Sequence, residues 1–245
     1  MEIPDLKLEN EWLTPMLLIQ MLSWLAFEHI IPLPENITSE TAATILLQGL
    51  TSHYLATDSH KTQKGVTVLI HASAGGVGQF LTQISKLLGA RVIGLTSSAE
   101  KASVSKQNGA DKVFLYSDDW KTQVFNFCPN GVDVVYDSVG STLTDSFEVT
   151  KECGQVVFFE MAGGNPELVN PRMLIDTSKT LTGSNLWSYI KSKEERIKRA
   201  HQLFDWIANG NISIAEPTVF KLSEGKLAYD YLESRKSTGK IILIA

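Results

Sequence analysis

The chain has 245 residues, a formal net charge of −5 and a hydrophobic fraction of 43%. This composition is typical of a soluble globular protein, long enough for one large domain or one and a half. The mild acidity argues against a general nucleic-acid binder, because neutralising phosphates requires clustered Lys and Arg. Cys128 and Cys153 are isolated, with no Cys-x-x-Cys pair and no His cluster beside them. They indicate a reducing, cytoplasmic compartment and no metal site.

Residues 1–29 are predicted to form a divergent apolar N-terminal segment. The run at residues 16–27 is strongly apolar, but it is too short, and too interrupted by Gln20 and Ser23, to span a bilayer. The residues before it are acidic, so a signal peptide is not expected. A helix packed on the body of the protein is the favoured interpretation, and attachment to a membrane surface is the alternative.

The next stretch is predicted to enter the main domain. Residues 30–35 read as an extended segment, and Thr38 or Ser39 suits the N-cap of a helix over residues 40–46. The sequence Gln48-Gly-Leu-Thr51 follows, and then a second helix that ends near Ala56.

A strand, a glycine turn and a helix come next. Residues 66–70 are rich in β-branched side chains, as in a strand buried on both faces, and apolar residues at helical spacing run from Phe80 to Leu88. Between them lie Gly75, Gly76 and Gly78. This order is the context of a dinucleotide fingerprint, because a helix N-terminus offers amide donors to a pyrophosphate. Ser73 occupies the place of the first glycine, and a tight turn without a ligand remains the alternative.

The following strand, residues 91–95, ends in Thr96-Ser97-Ser98. About twenty residues past the glycine turn, an NAD-binding chain usually has an Asp or Glu for the ribose 2′-hydroxyl. Here Ser97 and Ser98 are followed by Lys101, and hydroxyls with an ammonium can hold a 2′-phosphate that a carboxylate would repel. The pattern favours NADPH. Ser97 or Ser98 also suits the N-cap of a helix from Ala99, and the two roles are compatible.

Strands and helices alternate through the rest of the chain. Helices are predicted over residues 99–108, 121–127, 143–150, 193–208 and 225–232, and strands over 112–115, 132–136, 155–159, from 180, 212–220 and 240–244. This alternation predicts an α/β fold with a Rossmann-type doubly wound parallel sheet. Ligands in such sheets bind at the carboxyl ends of the strands. The stretches expected there are 75–78, 96–98, Tyr116, 137–140 with Ser138, and 159–163 beginning at Phe159.

Four motifs resemble the NADPH:quinone oxidoreductases, the zeta-crystallin-like, zinc-independent branch of the medium-chain dehydrogenase/reductase family. They are Leu47-Gln-Gly-Leu-Thr-Ser-His-Tyr54, His71-Ala-Ser-Ala-Gly-Gly-Val-Gly-Gln79, Gly131-Val-Asp-Val-Val-Tyr-Asp-Ser-Val-Gly140 and Leu232-Glu-Ser-Arg-Lys-Ser-Thr-Gly-Lys240. The likeness runs from about Ile30 to Ala245. It implies enoyl-reductase-like hydride transfer from NADPH to quinones or related α,β-unsaturated carbonyl compounds. No residue is required as an acid or base, so no catalytic residue is assigned.

The resemblance also implies roles for individual residues. Residues 75–78 would hold the pyrophosphate, Lys101, Tyr116 and Arg235 would surround the 2′-phosphate, and Gln48 and Thr51 would lie near the nicotinamide. The expected cofactor-binding residues are Gln48, Thr51, Ser73, Ala74, Gly75, Gly76, Val77, Gly78, Ser97, Ser98, Lys101, Tyr116, Ser138, Phe159 and Arg235. A homodimer through the sheet edge between Thr180 and Asn185 is also implied.

The resemblance divides the chain into the segment 1–29, an NADP-binding Rossmann domain over 30–186 and the C-terminal remnant of a GroES-like catalytic domain over 187–245. Most of the N-terminal GroES-like part of the family is missing from this division. Glu160 stands where the family places an Asn–Gly type turn, and adds negative charge close to the expected nicotinamide ribose. The alternative function is therefore a truncated, catalytically weak or inactive NADPH-binding or interaction protein.

Two further hypotheses rest on weaker signals. Tyr189 and Lys193 have the Tyr-x-x-x-Lys spacing of short-chain dehydrogenases, but they follow the sixth strand instead of lying within the alternation. Proteins like zeta-crystallin are also associated with RNA binding, which the acidic net charge does not support.

Overall fold

The computed structural model describes residues 12–13, 30–234, 237 and 240–244. The expected apolar segment 1–29 lies outside these residues apart from the backbone of the first strand. The strands are β1 (Trp12–Leu13), β2 (Ile31–Pro32), β3 (Thr67–Ile70), β4 (Arg91–Thr96), β5 (Lys112–Leu115), β6 (Val132–Asp137), β7 (Thr150–Phe158), β8 (Thr180–Gly183), β9 (Thr218–Lys221) and β10 (Ile241–Ile244). The α-helices are α1 (Ser39–Tyr54), α2 (Gly76–Leu87), α3 (Ala99–Gln107), α4 (Trp120–Phe127), α5 (Leu143–Val149), α6 (Pro171–Thr177), α7 (Leu186–Tyr189), α8 (Lys193–Ala208) and α9 (Gly225–Glu233). A π-helical turn covers Leu55–Ser59, and a 3-10 turn covers Leu222–Glu224.

The chain divides into two compact units. The central unit is Thr51–Leu186, and the terminal unit combines Met1–Leu50 with Trp187–Ala245. This division groups residues 30–50 with the C-terminal residues, whereas the sequence grouped them with the nucleotide-binding domain. The physical reason is packing within the terminal unit, where β2 contacts α8 and Gly49 of α1 lies against Leu203 of α8.

The central unit is built on a six-stranded sheet in the order β5-β4-β3-β6-β7-β8. Every neighbouring pair in this sheet is parallel. The sheet starts at β3 and grows outward in both directions, so its strand order reverses between β3 and β6. The prediction of a doubly wound parallel sheet is confirmed, and the loops after β3 and β6 meet at the switch point, where such folds bind ligands.

The core of the central unit is formed by β-branched and leucine side chains of the inner strands. All four residues of β3 are buried, as expected for a strand covered on both faces. Leu69, Ile93 and Val135 belong to three neighbouring strands and have no exposed surface. Trp120 of α4 and Phe147 of α5 join the same cluster. Each such side chain contributes about 1.5–3 kcal/mol through burial.

In the terminal unit, β9 pairs in parallel with β10. The predicted helix over residues 193–208 is confirmed as α8, with Ala200, Leu203 and Phe204 buried. The strand predicted over residues 212–220 is wrong, since the structure begins it at Thr218. Pro217 precedes this strand, and proline both lacks an amide donor and restricts the residue before it.

Other differences are local. The two helices predicted on either side of Gly49 are one continuous helix, α1, because this glycine makes room for Leu203 instead of ending a helix. Thr38 is the N-terminal cap of α1, with its hydroxyl accepting from the Thr41 amide at 3.1 Å. The short helices α6 and α7 were not predicted, and β7 begins at Thr150, before the expected 155.

Candidate functional site

Three successive backbone amides connect the turn after β3 to neighbouring parts of the sheet through hydrogen bonds. The amides of His71, Ala72 and Ser73 donate, in order, to the Tyr136 carbonyl oxygen at 3.1 Å, the Tyr116 hydroxyl at 3.0 Å and the Leu95 carbonyl oxygen at 3.0 Å. Ala72 has a positive φ of 48°, which is uncommon for a residue with a Cβ. Its carbonyl oxygen accepts from the Gly75 amide at 2.8 Å. The turn is therefore held from β6, from β4 and from the Tyr116 side chain.

The glycines that follow let α2 begin directly against this turn. A Cβ on Gly78 would lie 2.5 Å from the Ala72 carbonyl oxygen and 2.6 Å from the Ser73 Cα, much closer than van der Waals contact allows. The first amides of a helix have no carbonyl partner within the helix, and the helix dipole places positive charge there. The amides of Gly76, Val77 and Gly78 can therefore bind an anion such as a pyrophosphate.

The Ser73 side chain points away from the turn surface. The residue is fully buried, and its Oγ bonds the Ser105 Oγ at 2.8 Å and donates to the Leu95 carbonyl oxygen at 3.3 Å. A Cβ on Gly94 would overlap these two hydroxyls. Ala74 is also buried, and its carbonyl oxygen accepts from the Gln79 side chain at 2.9 Å. A cofactor role for Ser73 and Ala74 is thus limited to their main chain.

The residues after β4 have a more mixed charge than expected. Ser98 caps α3, and its Oγ accepts from the Lys101 amide at 3.3 Å, which confirms the capping role. Ser97 is exposed and Lys101 is half-buried in the first turn of α3. Hydrogen bonds from its own amide and from the Ser98 hydroxyl hold the pKa of Glu100 below its usual value. Sequence reasoning missed this carboxylate, which lies beside the expected 2′-phosphate site.

The loop after β6 is organised by Asp137, which is fully buried. Its carboxylate accepts from the amides of Val139 at 2.8 Å and Gly140 at 3.0 Å. It also accepts from the hydroxyls of Thr142 at 2.9 Å and Ser146 at 2.6 Å. Burial acts to raise the pKa of Asp137, but His71, the Ser146 hydroxyl and the two amides together lower it below its usual value. An ionised carboxylate therefore fixes residues 137–140, including Ser138.

His71 connects this loop to the glycine turn. Its Nδ1 lies 3.0 Å from the Tyr116 hydroxyl, and its Nε2 lies 3.0 Å from the Ser146 Oγ. The His71 and Tyr116 rings are stacked, with centroids 5.8 Å apart, and Trp120 approaches the imidazole edge-on. No pattern in the sequence indicated this hydrogen-bond network.

The loop after β7 is tied to the loop after β6. The Phe159 amide donates to the Asp137 carbonyl oxygen at 3.1 Å, and the Ala162 amide donates to the Ser138 carbonyl oxygen at 3.1 Å. Glu160 is exposed, and its Oε1 accepts from the Met161 amide at 3.1 Å. Ser138, Phe159 and Glu160 therefore share the carboxyl edge of the sheet.

The remaining expected residues are distributed as follows. Thr51 belongs to the central unit, and its neighbour Ser52 donates through Oγ to the Val77 carbonyl oxygen at 2.9 Å. Gln48 belongs to the terminal unit. Arg235 lies outside the described residues. The nicotinamide role of Gln48 and Thr51 and the phosphate role of Arg235 stay predictions.

The described residues were compared with the requirements of a metal site and of a membrane-spanning helix. No group of three or more His, Cys, Asp or Glu side chains in residues 30–234, 237 and 240–244 is arranged to hold a metal ion. None of the helices in the same part of the chain combines the length and apolar character that crossing a bilayer requires.

A glycine turn at the switch point of a six-stranded parallel sheet defines the central unit as a Rossmann-type dinucleotide-binding unit. The family model described as zinc-binding dehydrogenase matches residues 76–206. The chain is 37% identical to the quinone oxidoreductase of Pseudomonas aeruginosa over 231 residues, which cover 90% of this chain and 69% of that protein. It is 32% identical to the 2-haloacrylate reductase of a Burkholderia species, over 89% of this chain and 67% of that protein.

The solved structures give the same result. The crystal structure of Escherichia coli quinone oxidoreductase complexed with NADPH has a TM-score of 0.85 and 33% sequence identity, and covers 89% of this chain and 68% of that one. The chain belongs to the quinone oxidoreductase branch of the medium-chain dehydrogenase/reductase family, a family of oxidoreductases. It spans about two thirds of the length of these relatives.

Proposed function

We propose that this chain is an NADPH-dependent oxidoreductase that transfers a hydride to quinones or related α,β-unsaturated carbonyl compounds. The observation that carries the proposal is the glycine turn at the switch point, which leaves backbone amides open to a pyrophosphate. Its relatives are named quinone oxidoreductase and 2-haloacrylate reductase, and solved relatives are described as complexes with NADPH.

The residues of the site fit this coenzyme. Gly78 lets α2 start directly against the turn, because a Cβ there would meet the Ala72 carbonyl oxygen and the Ser73 Cα. This close packing places the first amides of α2 beside the turn, where a pyrophosphate would bind. Lys101 places an ammonium in the first turn of α3, close in sequence to the exposed Ser97. The Glu100 carboxylate would repel a 2′-phosphate. A preference for NADPH therefore requires that attraction by the Lys101 ammonium is stronger than this repulsion.

When bound, NADPH supplies the hydride, and the protein provides position and exclusion of water. The amides of residues 76–78 would hold the pyrophosphate, and the loops that begin at Asp137 and Phe159 would border the ribose end. We assign no acid or base, because an electron-poor quinone accepts a hydride without prior protonation. Residues 30–186 would form the NADPH-binding domain, and residues 187–245 the C-terminal part of the catalytic domain.

Assembly and location are part of the same proposal. In the described part of the chain, β8 is the end strand of the sheet and pairs only with β7, so a second copy could extend the sheet between Thr180 and Asn185. We propose such a homodimer and a cytoplasmic location. RNA binding has no support from the net charge of −5.

The second candidate function is NADPH binding without useful turnover. It is favoured by Glu160, an exposed carboxylate in the loop that bonds to residues 137–140. A negative charge at this edge would oppose placement of an anionic coenzyme, and misplacement of the reacting atoms costs orders of magnitude in rate.

Calorimetric titration with NADPH and NADH, followed by assays of NADPH oxidation with 1,4-benzoquinone, separates the candidates. Binding with steady oxidation supports the reductase, binding without oxidation supports the second candidate, and no binding refutes both. Lys101→Ala should weaken NADPH binding about 10- to 100-fold, the loss of one charge-assisted hydrogen bond, and leave NADH binding nearly unchanged. Lys106→Ala, in the last turn of the same helix, is the matched control and should change neither affinity.

A further inference from the structure

The loops that follow β6 and β7 are joined to each other by backbone hydrogen bonds. We call residues 138–142 the β6 loop and residues 159–164 the β7 loop. Three amides of the β7 loop donate to successive carbonyl oxygens: Phe159 to Asp137 at 3.1 Å, Ala162 to Ser138 at 3.1 Å and Gly163 to Val139 at 2.8 Å. The β7 loop supplies only donors to this contact, so its position follows that of residues 137–139.

The two loops also lie in direct contact. A Cβ on Gly163 would lie 2.5 Å from Cγ1 and 3.0 Å from the carbonyl oxygen of Val139. A Cβ on Gly140 would overlap the carbonyl oxygen of Gly164, and the φ of 84° at Gly140 is itself unfavourable for a residue with a side chain. A displacement of the β6 loop must therefore also displace the β7 loop.

Asp137 divides its two carboxylate oxygens between the β6 loop and helix α5. Oδ1 accepts from the amides of Val139 at 2.8 Å and Gly140 at 3.0 Å. Oδ2 accepts from the Ser146 hydroxyl at 2.6 Å, and the Thr142 hydroxyl reaches both oxygens, at 3.1 and 2.9 Å. Because the side chain is fully buried, loss of Oδ1 would remove the acceptor that holds these two amides.

The order of the sheet assigns the two loops to one half of a bound dinucleotide. A doubly wound sheet consists of two mononucleotide-binding halves that meet where the strand order reverses. The half from β3 to β5 carries the glycine turn and Lys101, so it would take the adenosine side. The half from β6 to β8 is left for the nicotinamide side, and the β6 and β7 loops lie at its carboxyl edge.

We propose that Asp137 is a positioning residue for the nicotinamide half of the coenzyme. Through Oδ1 it fixes the β6 loop, and through three backbone hydrogen bonds the β6 loop fixes the β7 loop. The inference rests on the proposed binding of NADPH and goes beyond it, because it assigns one buried side chain to the reacting end of the coenzyme. The adenosine half, with its 2′-phosphate, is bound by other loops and does not depend on Asp137.

Affinity for a fragment of the coenzyme separates this role from a general structural one. The fragment 2′,5′-ADP contains the adenosine half with its 2′-phosphate, whereas NADPH contains both halves. Asp137→Ala should weaken NADPH binding roughly three- to tenfold and leave 2′,5′-ADP binding within about twofold of the native value. Lys101→Ala is the contrasting variant, because it should weaken binding of both compounds. Isothermal titration calorimetry measures the affinities, and circular dichroism ensures that folded proteins are compared.

Asp137→Asn tests which feature of the side chain is responsible. The amide oxygen of Asn can take the place of Oδ1 and accept from the two loop amides, while its amide nitrogen faces the two hydroxyl oxygens, which can accept. We expect this variant to bind NADPH within about threefold of the native protein, although the buried charge is gone. Asp145→Asn is the matched control, since it removes a carboxylate of α5 that pairs with Lys121, and it should change neither affinity.

Gly163→Ala perturbs the same pair of loops from the other side and leaves Asp137 intact. Its new Cβ would meet Val139 and force the two loops apart. We expect the pattern of Asp137→Ala, with weaker binding of NADPH and native binding of 2′,5′-ADP. Gly225→Ala, where the nearest atom to the new Cβ is 4.0 Å away, is the control for the added methyl group. If Asp137→Ala does not fold, Gly163→Ala provides the decisive comparison.

Hydrogen exchange at the Gly163 amide does not depend on nucleotide binding. This amide donates to the Val139 carbonyl oxygen, and the Val139 amide donates to Oδ1 of Asp137. Exchange at Gly163 should therefore be faster in Asp137→Ala than in the native protein and Asp137→Asn.

The inference is overturned if Asp137→Ala or Gly163→Ala weakens binding of NADPH and 2′,5′-ADP equally, or weakens neither. It is also overturned if Asp137→Asn binds NADPH as poorly as Asp137→Ala. Should the native protein bind neither compound, the proposed function fails, whereas unchanged exchange at Gly163 in Asp137→Ala would refute the link between the two loops alone.

Discussion

Gly78→Ala perturbs the glycine turn and helix α2 together. The added Cβ would lie 2.5 Å from the Ala72 carbonyl oxygen and 2.6 Å from the Ser73 Cα. These neighbours are main-chain atoms that cannot rotate away, so the cost should be near the upper end of the about 1–3 kcal/mol typical of overpacking. Alanine regains about 0.5–1 kcal/mol over glycine in a helix. The free energy of unfolding should therefore fall by about 2 kcal/mol, which lowers Tm by roughly 4–8 °C.

The same displacement should weaken coenzyme binding, because the turn must move away from α2 and its amides lose their alignment with the pyrophosphate. Each charge-assisted hydrogen bond is worth about 1.5–3 kcal/mol, so a loss of more than about tenfold in NADPH affinity is expected. Scanning calorimetry and isothermal titration calorimetry measure the two effects. The control is Gly225→Ala, another helical glycine, where the nearest atom to the new Cβ is 4.0 Å away and no loss of stability is expected. A Gly78→Ala protein with native Tm and native affinity would refute the steric reasoning.

Three further predictions concern stability. Asp133→Ala leaves the buried Thr67 amide without the carboxylate that accepts from it at 2.7 Å, so the free energy of unfolding in urea should fall by about 1–3 kcal/mol at pH 7. Burial acts to raise the pKa of Asp133, but hydrogen bonds from Lys151 and from the Thr67 amide lower it below its usual value. The stabilisation by Asp133 is therefore complete above the pKa of the unfolded chain, which is about 4, and is lost as the pH falls through the lower pKa of the folded protein. The difference between Asp133→Ala and the native protein should accordingly shrink in acid, and a constant difference would contradict the linkage. The lowered pKa of His71 means that protonation favours the unfolded state below pH ~6.5, so stability should fall from pH 7 to pH 5 less steeply in His71→Asn than in the native protein. Leu69→Ala, at a fully buried position of β3, should lower the free energy of unfolding by about 2–5 kcal/mol, and a smaller loss would show that the core collapses around the gap.

The central sheet could be predicted from sequence because its signals are local. A β-branched run followed by glycines and helical spacing specifies β3, its turn and α2 within a few residues of their observed bounds. The cap at Ser98 was predictable for the same reason, since a capping hydroxyl acts on an amide three residues away.

Contacts between distant residues could not be predicted in this way. The partners of His71 come from Tyr116 and Ser146, 45 and 75 residues further along the chain, and only the assembled sheet brings them together. From sequence alone Gly49 reads as a helix-breaking residue, because the Leu203 side chain that packs against it lies far along the chain. Ser73 was expected among the cofactor-binding residues, but nothing in the sequence indicated that its hydroxyl would point inward, into the space that Gly94 leaves.

The two units differ in how the chain builds them, and this has a consequence for synthesis on the ribosome. The central unit is one uninterrupted stretch, Thr51–Leu186, whereas the terminal unit needs residues from both sides of it. The sheet can therefore close as soon as β8 has emerged, because domains generally fold as their last strand becomes available. Residues 39–50 must wait until α8 has been translated before Leu203 can reach Gly49. A chain that ends at Leu186 and has left the ribosome is therefore expected to protect the sheet, but not residues 39–50, from proteolysis.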